Sequence, residues 1–225
     1  MAISYVNSAI FATTSVTTSV TCNVPASVQN GDLLLWSMGG AASSIALPSP
    51  PAGWALWNAN LSAVGATGAV FWYRVACSEP SSYTVSGLTS GRYATFMSAY
   101  RGVDQTTPKD ATNTTATNGA NFATPPAITP VTVGAWPVML EAAQITSAAA
   151  APVGGSTNAT ALVGQATSTV ASVANPALIE GYYSGWASGA FTFNLSKSAG
   201  SFSAGHVVVS ALKPAVARAN FLMFA

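Results

Sequence analysis

Acid–base chemistry in this chain could rest on six carboxylates and one histidine: Asp32, Glu79, Asp104, Asp110, Glu141, Glu180 and His206. A glycosidase needs two carboxyl groups flanking one bond. Asp32 and Glu79 fall in turn segments. Asp104 lies three residues past Arg101, and Asp110 follows Lys109, so both read as local ion pairs or turn caps. Glu141 and Glu180 lie in apolar segments and are the one pair that could share a cleft with perturbed pKa values. A Ser–His–acid triad would have to use His206. Its place after Gly205 and before Val207-Val208-Val209 reads instead as a polar rim residue at the start of a strand. Cys22 and Cys77 have no metal-type spacing. A bridge between them would close a long loop, whereas a cytosolic origin favours two buried free thiols. The glycines make no phosphate-cradling loop. The expectation is a chain with no catalytic residue, no cofactor and no metal ligand.

Aromatic residues are the other candidates for chemistry. Trp54, Trp57, Trp72, Tyr73, Tyr182, Tyr183 and Trp186 could stack sugars if they faced solvent. In a strand, Phe71 and Tyr73 point to one side and Trp72 to the other, and one side must be core. Most of these rings are therefore expected to fill the interior. Tyr182, Tyr183 and Trp186, loosened by Ser184 and Gly185, form the candidate ligand-binding group, with a host glycan as the ligand.

The elements that would position these groups are strands. Ile3–Phe11, Ser15–Cys22, Asp32–Met38, Ala55–Leu61, Ala69–Ala76, Ser82–Ser86 and Arg92–Arg101 alternate or run apolar between Gly, Pro and Ser breaks. So do Val138–Ile145, Thr160–Ala166, Ala177–Tyr183, Phe191–Leu195 and His206–Lys213. No segment repeats at three and four, so the sole helical candidate is a turn at Ala148–Ala151. The fold expected is all-β: a jelly-roll-like β-sandwich of two antiparallel sheets. Leu33, Leu35, Phe71, Tyr73, Phe96, Val138, Leu140, Val207 and Val209 are the expected core, their neighbours facing the other way. A weak internal two-fold repeat is visible. The Pro–Gly lead-in before Leu33-Leu34-Leu35 echoes the one before Val138-Met139-Leu140, and Tyr93–Tyr100 echoes His206–Leu212. Residues 1–214 then form a single domain. Its halves, about 1–110 and 127–214, are joined by a Thr/Asn/Ala-rich crossover.

Composition narrows the partners. The chain has 225 residues, with seven basic and six acidic side chains and a net charge of +1. The basic residues make no patch, which argues against nucleic acid. No apolar run reaches membrane length; Val131–Ala151 is broken by Pro137, Glu141 and Gln144. The first residues lack a positive start and an apolar stretch, so no signal peptide is expected. Glycosylation triplets at Asn60, Asn113, Asn158 and Asn194 carry little weight without one. A neutral, hydroxyl-rich surface repels its neighbours weakly and suits packing in an assembly. Residues 215–225 follow Pro214 and carry Phe221, Leu222, Met223 and Phe224. Such a segment either folds back on its own sandwich or docks on another subunit, and these four residues are the candidate intermolecular docking group.

Gly31-Asp32-Leu33-Leu34-Leu35, Pro51-Ala52-Gly53-Trp54, Phe71-Trp72-Tyr73-Arg74-Val75-Ala76, Glu79-Pro80-Ser81-Ser82-Tyr83-Thr84 and Ala99-Tyr100-Arg101-Gly102-Val103-Asp104 follow one another here. The series resembles a β-sandwich module of phage structural proteins and some bacterial surface proteins. The resemblance covers roughly Val24 to Pro214 and is strongest through Asp110. It implies a virion-exposed or extracellular module and transfers no catalytic residue. The expectation is a non-enzymatic virion structural protein of a tailed phage, most simply a capsid decoration or cement protein. It would be made in the host cytoplasm, form homo-oligomers and contact other virion proteins. The alternative is a glycan-binding adhesion module of a tail fibre or bacterial surface protein.

Overall fold

The computed structural model describes residues 1–13, 15–41, 49–60, 67–118, 123–145, 154–156, 159–167, 175–197 and 202–216. All its regular elements are strands. β1 (Ser4–Ala12), β2 (Thr17–Asn23), β3 (Leu33–Ala41), β4 (Ala55–Asn60), β5 (Thr67–Val75) and β6 (Ser82–Arg101) come from the first half. β7 (Thr114–Asn118), β8 (Trp136–Ile145), β9 (Gly154–Ser156), β10 (Ala161–Thr167), β11 (Asn175–Tyr182), β12 (Leu195–Lys197) and β13 (Phe202–Leu212) come from the second. The expected all-β sandwich of two antiparallel sheets is what forms.

Each half builds its own sheet. The first has the order β1-β6-β3-β5-β4, with β2 also on β6; the second runs β10-β11-β8-β13-β7. Read from β7, the second order is the first repeated: opening strand, closing strand, then the strand after the turn, then the last hairpin. The match extends to detail. Gly31 (φ 91°) and Gly134 (φ 84°) make the same turn, with Asp32 N bonding Gln29 O and Ala135 N bonding Thr132 O. Both outer hairpins carry a bulge at one place, between Leu56 and Asn58 and between Leu162 and Gly164. The weak sequence echo is thus a repeat of topology and register. Leu35 corresponds to Val138, Phe96 to Val208 and Tyr73 to Tyr182.

Each sheet is buried on both faces. Between the sheets lie Leu33, Leu35, Phe71, Phe96, Val138, Leu140, Leu178 and Val208. The outer face of the first sheet holds Leu34, Trp36, Met38, Trp72 and Met97 under Val20, Cys22, Val85 and Trp54. The outer face of the second holds Met139, Ile179, Val207 and Val209 under Ala123, Ile128 and Phe193. This is why β3 and β13 read as nearly continuous apolar runs. It also corrects the alternation expected from sequence. Trp36, Trp72 and Met97 are as buried as their neighbours, while Tyr73 is half-buried.

Several boundaries differ from expectation; the strand expected at Phe191–Leu195 is only a bridge from Phe191 to Ile128, with β12 starting at Leu195. The segments expected as Ser82–Ser86 and Arg92–Arg101 are one strand, β6, carried through Gly87 at φ 72°. Its first part pairs β2, with a step between Ser86 and Gly91, and its second part pairs β1 and β3. The crossover contains β7, which pairs β13. The possible helical turn at Ala148–Ala151 and the docking residues Phe221, Leu222, Met223 and Phe224 lie outside the described residues.

Candidate functional site

Glu180 enters the inter-sheet core from β11. Its Oε1 accepts hydrogen bonds from Ser98 Oγ at 2.5 Å and Tyr100 OH at 2.7 Å. Both donors sit on β6, two residues apart and so on one face. The carboxyl is a polar staple from the second sheet to the first. Burial pushes its pKa up to about 7, against the pull of the two hydroxyl donors. The same burial, with the neighbouring carboxyl, raises the Tyr100 hydroxyl well above its ordinary value. Tyr5 packs edge-on to Tyr100 at 5.9 Å and lies over Tyr182 at 5.8 Å.

Glu141 does not join Glu180. In the β8–β11 ladder Glu180 is opposite Leu140, and Glu141 is opposite Ile179. A shift of one residue reverses the face, so Glu141 points into the outer core. There its Oε1 accepts from Ala123 N at 3.0 Å, and burial holds its pKa well above the carboxylate range. The shared acid cleft considered from sequence is therefore not present; a sheet separates the two groups.

His206 is not a rim residue. It is buried, 7% exposed, with its ring 6.4 Å from Phe71 in the inter-sheet core. Burial lowers its pKa to about 4, so it is neutral at ordinary pH. The strand-start position misled because β13 begins at Phe202, not at His206.

The turn acids serve the fold in part through partners distant in sequence. Arg101 reaches Asp32, with Nη2 at 2.8 Å from Oδ2, rather than Asp104. Arg74 pairs with Glu79 at 2.9 Å, and Tyr83 OH donates to the other oxygen of that carboxylate. Asp104 accepts from Thr106 N and Thr107 N and lies 3.5 Å from Lys213. Asp110 accepts from Val131 N and Thr132 N, not from Lys109. Cys22 and Cys77 are free; Cys22 is buried, its thiol pushed up to about 12, but Cys77 is exposed, contrary to expectation.

The three aromatic candidates do not share a face. Tyr182 stacks on Trp136 at 4.8 Å with an interplanar angle of 12°, on the inter-sheet side. Tyr183 stacks on Phe191 at 4.6 Å on the outer side. Trp186 is buried, its indole N–H on Gly189 O at 2.9 Å. The expected exposed loop is reduced to Ser184 and Gly185.

A groove that sequence reading missed lies on the other side of the sandwich. It is a shallow, solvent-open depression of about 780 Å³, lined by Asn58, Lys109, Asp110, Thr112, Asn113 and Val131 among others. Lys109 Nζ donates to Trp57 O at 2.7 Å, Asn113 Nδ2 donates to the same oxygen at 2.9 Å, and Ser210 Oγ donates to Asn113 Oδ1 at 2.7 Å. The Lys109 ammonium sits 4.7 Å from the Trp57 ring centre, and burial lowers its pKa. The amide of Asn113 is thus committed inside the fold. Asn58 and Thr112 complete a polar wall over a buried indole. Sequence reading singled out Lys109, Asp110 and Trp57 separately and the Asn113-Thr114-Thr115 triplet for a different chemistry, with nothing to join them.

Among the described residues no three His, Cys, Asp or Glu side chains converge as a metal site, and no helix is long and apolar enough to cross a membrane. The chain matches no family model, no curated protein and no solved structure.

Proposed function

We propose that this chain is a non-enzymatic structural protein of a tailed-phage virion, a decoration or cement subunit on the capsid that self-associates and contacts other virion proteins. One observation supports the reading: among the described residues, most charged groups are spent within the fold. Arg74–Glu79, Arg101–Asp32 and Lys213–Asp104 close turns and strand ends, and Glu141 and Glu180 are buried. The chain is rich in Ser, Thr and Asn and has a net charge of +1, a composition that favours association. The ordered motifs from Gly31 to Asp104 that resemble the phage and surface module support the same reading. The test is mass spectrometry and imaging of purified particles from the system that encodes the chain. Stoichiometric recovery on the capsid is expected; absence from particles sinks the proposal.

A second reading rests on the groove at Lys109. A polar wall of Asn58, Asp110 and Thr112 is chemistry that can orient a sugar, as in a glycan-binding adhesion module. Glycan-array binding that is lost in Asn58→Ala, with stability unchanged, would favour it over the decoration role.

A further inference from the structure

Trp57 is the extra residue of the bulge in the β4–β5 hairpin: Leu56 is opposite Trp72 and Asn58 is opposite Phe71. A bulged residue stands outside the ladder and turns its backbone elsewhere. The Trp57 carbonyl is turned to two side chains of the segment before β7. Lys109 Nζ donates to it at 2.7 Å and Asn113 Nδ2 at 2.9 Å. One oxygen therefore holds an amine and a carboxamide side by side. Their nitrogens lie no farther apart than those two hydrogen bonds laid end to end, and the amide carbon is one covalent bond beyond.

Each partner is prepared for more than a hydrogen bond. The rings of Trp57 and Tyr73, with centres 4.7 and 5.9 Å from Nζ, wall the Lys109 side chain and fix where it ends. Burial lowers its pKa, so the neutral, nucleophilic amine is reached more readily than on an exposed lysine. The Asn113 amide is oriented by Trp57 O, an acceptor that faces the NH₂ end. Asn113 Oδ1 then accepts from Ser210 Oγ at 2.7 Å. Ser210 is fully buried on β13. Its hydroxyl is aimed at the oxygen on which negative charge builds when a nucleophile adds to the amide carbon. Lys109 and Asn113 both line the solvent-open depression, which gives a small leaving molecule a way out.

We propose that Lys109 and Asn113 join through a self-formed isopeptide bond, from Lys109 Nζ to Asn113 Cγ, with release of ammonia. The neutral Nζ, its third proton passed to water in the depression, adds to Cγ. The Ser210 hydroxyl holds the oxyanion on Oδ1. A proton then moves from Nζ to Nδ2, the Cγ–Nδ2 bond breaks, and ammonia departs. The proton given up at the start ends on ammonium, and no electrons are transferred. The chain becomes lighter by one ammonia, about 17 Da. Holding both groups on one carbonyl replaces the chance encounter that an unactivated amide and an amine would need in water. The event is a single turnover that the chain performs on itself, and it is independent of the virion and glycan readings.

The test is the intact mass of the full chain after folding and prolonged incubation. The folded chain should lose one ammonia relative to its sequence mass, whereas the same chain kept in urea should not. Fragmentation of a digest should place the loss on a linked Lys109–Asn113 pair. Lys109→Arg keeps the cation but removes the nucleophile; it should hold its full mass while still melting as a folded protein. Ser210→Ala should slow the loss by about tenfold or more. A folded wild-type chain that keeps its full mass would overturn the proposal, and that result needs no variant to fold. Ammonia loss that persists in Lys109→Arg, or that is as fast in urea, would overturn it as well and assign the loss to cyclisation at an asparagine.

Discussion

Where β3 of the first sheet carries Trp36, β8 of the second carries Met139; where β5 carries Phe71, β11 carries Glu180; where β6 carries Ala94, β13 carries His206. The two sheets have one topology and one register, filled with different chemistry. The first is closed by rings, Trp36 meeting Trp54 and Trp72 at 5.3 and 5.2 Å. The second packs aliphatic groups under Phe193, Phe191 and Tyr183, and it carries the buried Glu141 and Glu180 and the only histidine. The backbone frame accepts either solution because a pleated ladder specifies which face a residue meets, not what fills it. The consequences differ. A packed indole costs volume when lost, whereas a buried titratable group makes stability depend on pH.

The largest expected effect tests the packing side. Trp36→Ala should destabilise by ~3–5 kcal/mol in urea unfolding, and Met139→Ala by an amount toward the lower end of ~2–5 kcal/mol. If Met139→Ala proves the costlier, the indole cluster is not the stronger cement. pH dependence comes next. Glu180 has its folded pKa raised from 4.5 to about 7. Its neutral form is favoured by folding, so that contribution is present below pH 4.5 and is lost as pH rises through 7. At 1.36 kcal/mol per unit this is about 3 kcal/mol. Glu141 acts in the same direction. His206 acts oppositely, since its folded pKa is lowered to about 4. Its contribution is present above pH 6.5 and is lost as pH falls through 4. The native protein should therefore lose stability from pH 5 to pH 8. Glu180→Gln should flatten that decline between pH 4.5 and pH 6.5, where the remaining slopes of Glu141 and His206 oppose each other. Unchanged melting curves across this range in both proteins would mean that the acid is not buried as described.

The smallest effect asks whether the two halves are equivalent at their turns. Gly31 and Gly134 share a positive φ. An added Cβ at Gly31 meets only the end of the Gln105 side chain at 2.5 Å, and at Gly134 the nearest atom is Pro214 Cγ at 3.9 Å. The cost of Ala should be set by the backbone in both, at about 1–2 kcal/mol, with thermal unfolding as the measure. A difference larger than that between the two sites would break the equivalence.

Sequence alone determined the fold class, because turn-forming Gly, Pro and Asn bounded runs of strand formers too short and too regular for helices. It also determined the repeat, since the Gly turns and the apolar strands after them are local patterns. Tertiary structure decided the rest. The alternation rule assumes one wet face, and here a second layer covers each sheet, so Trp36 and Met97 could not be told from exposed residues by period. Asp104 and Asp110 have neighbours of opposite charge in sequence, yet Arg101 turns to Asp32 at the neighbouring strand end and Lys109 to the Trp57 carbonyl. Tyr182 and Tyr183 were legible as aromatic but not as belonging to opposite faces of a sheet. Glu141 and Glu180 are the clearest case. Their apolar surroundings were visible in the chain, and burial follows from them. Which face each one enters depends on the β8–β11 register, a long-range pairing that no local pattern encodes.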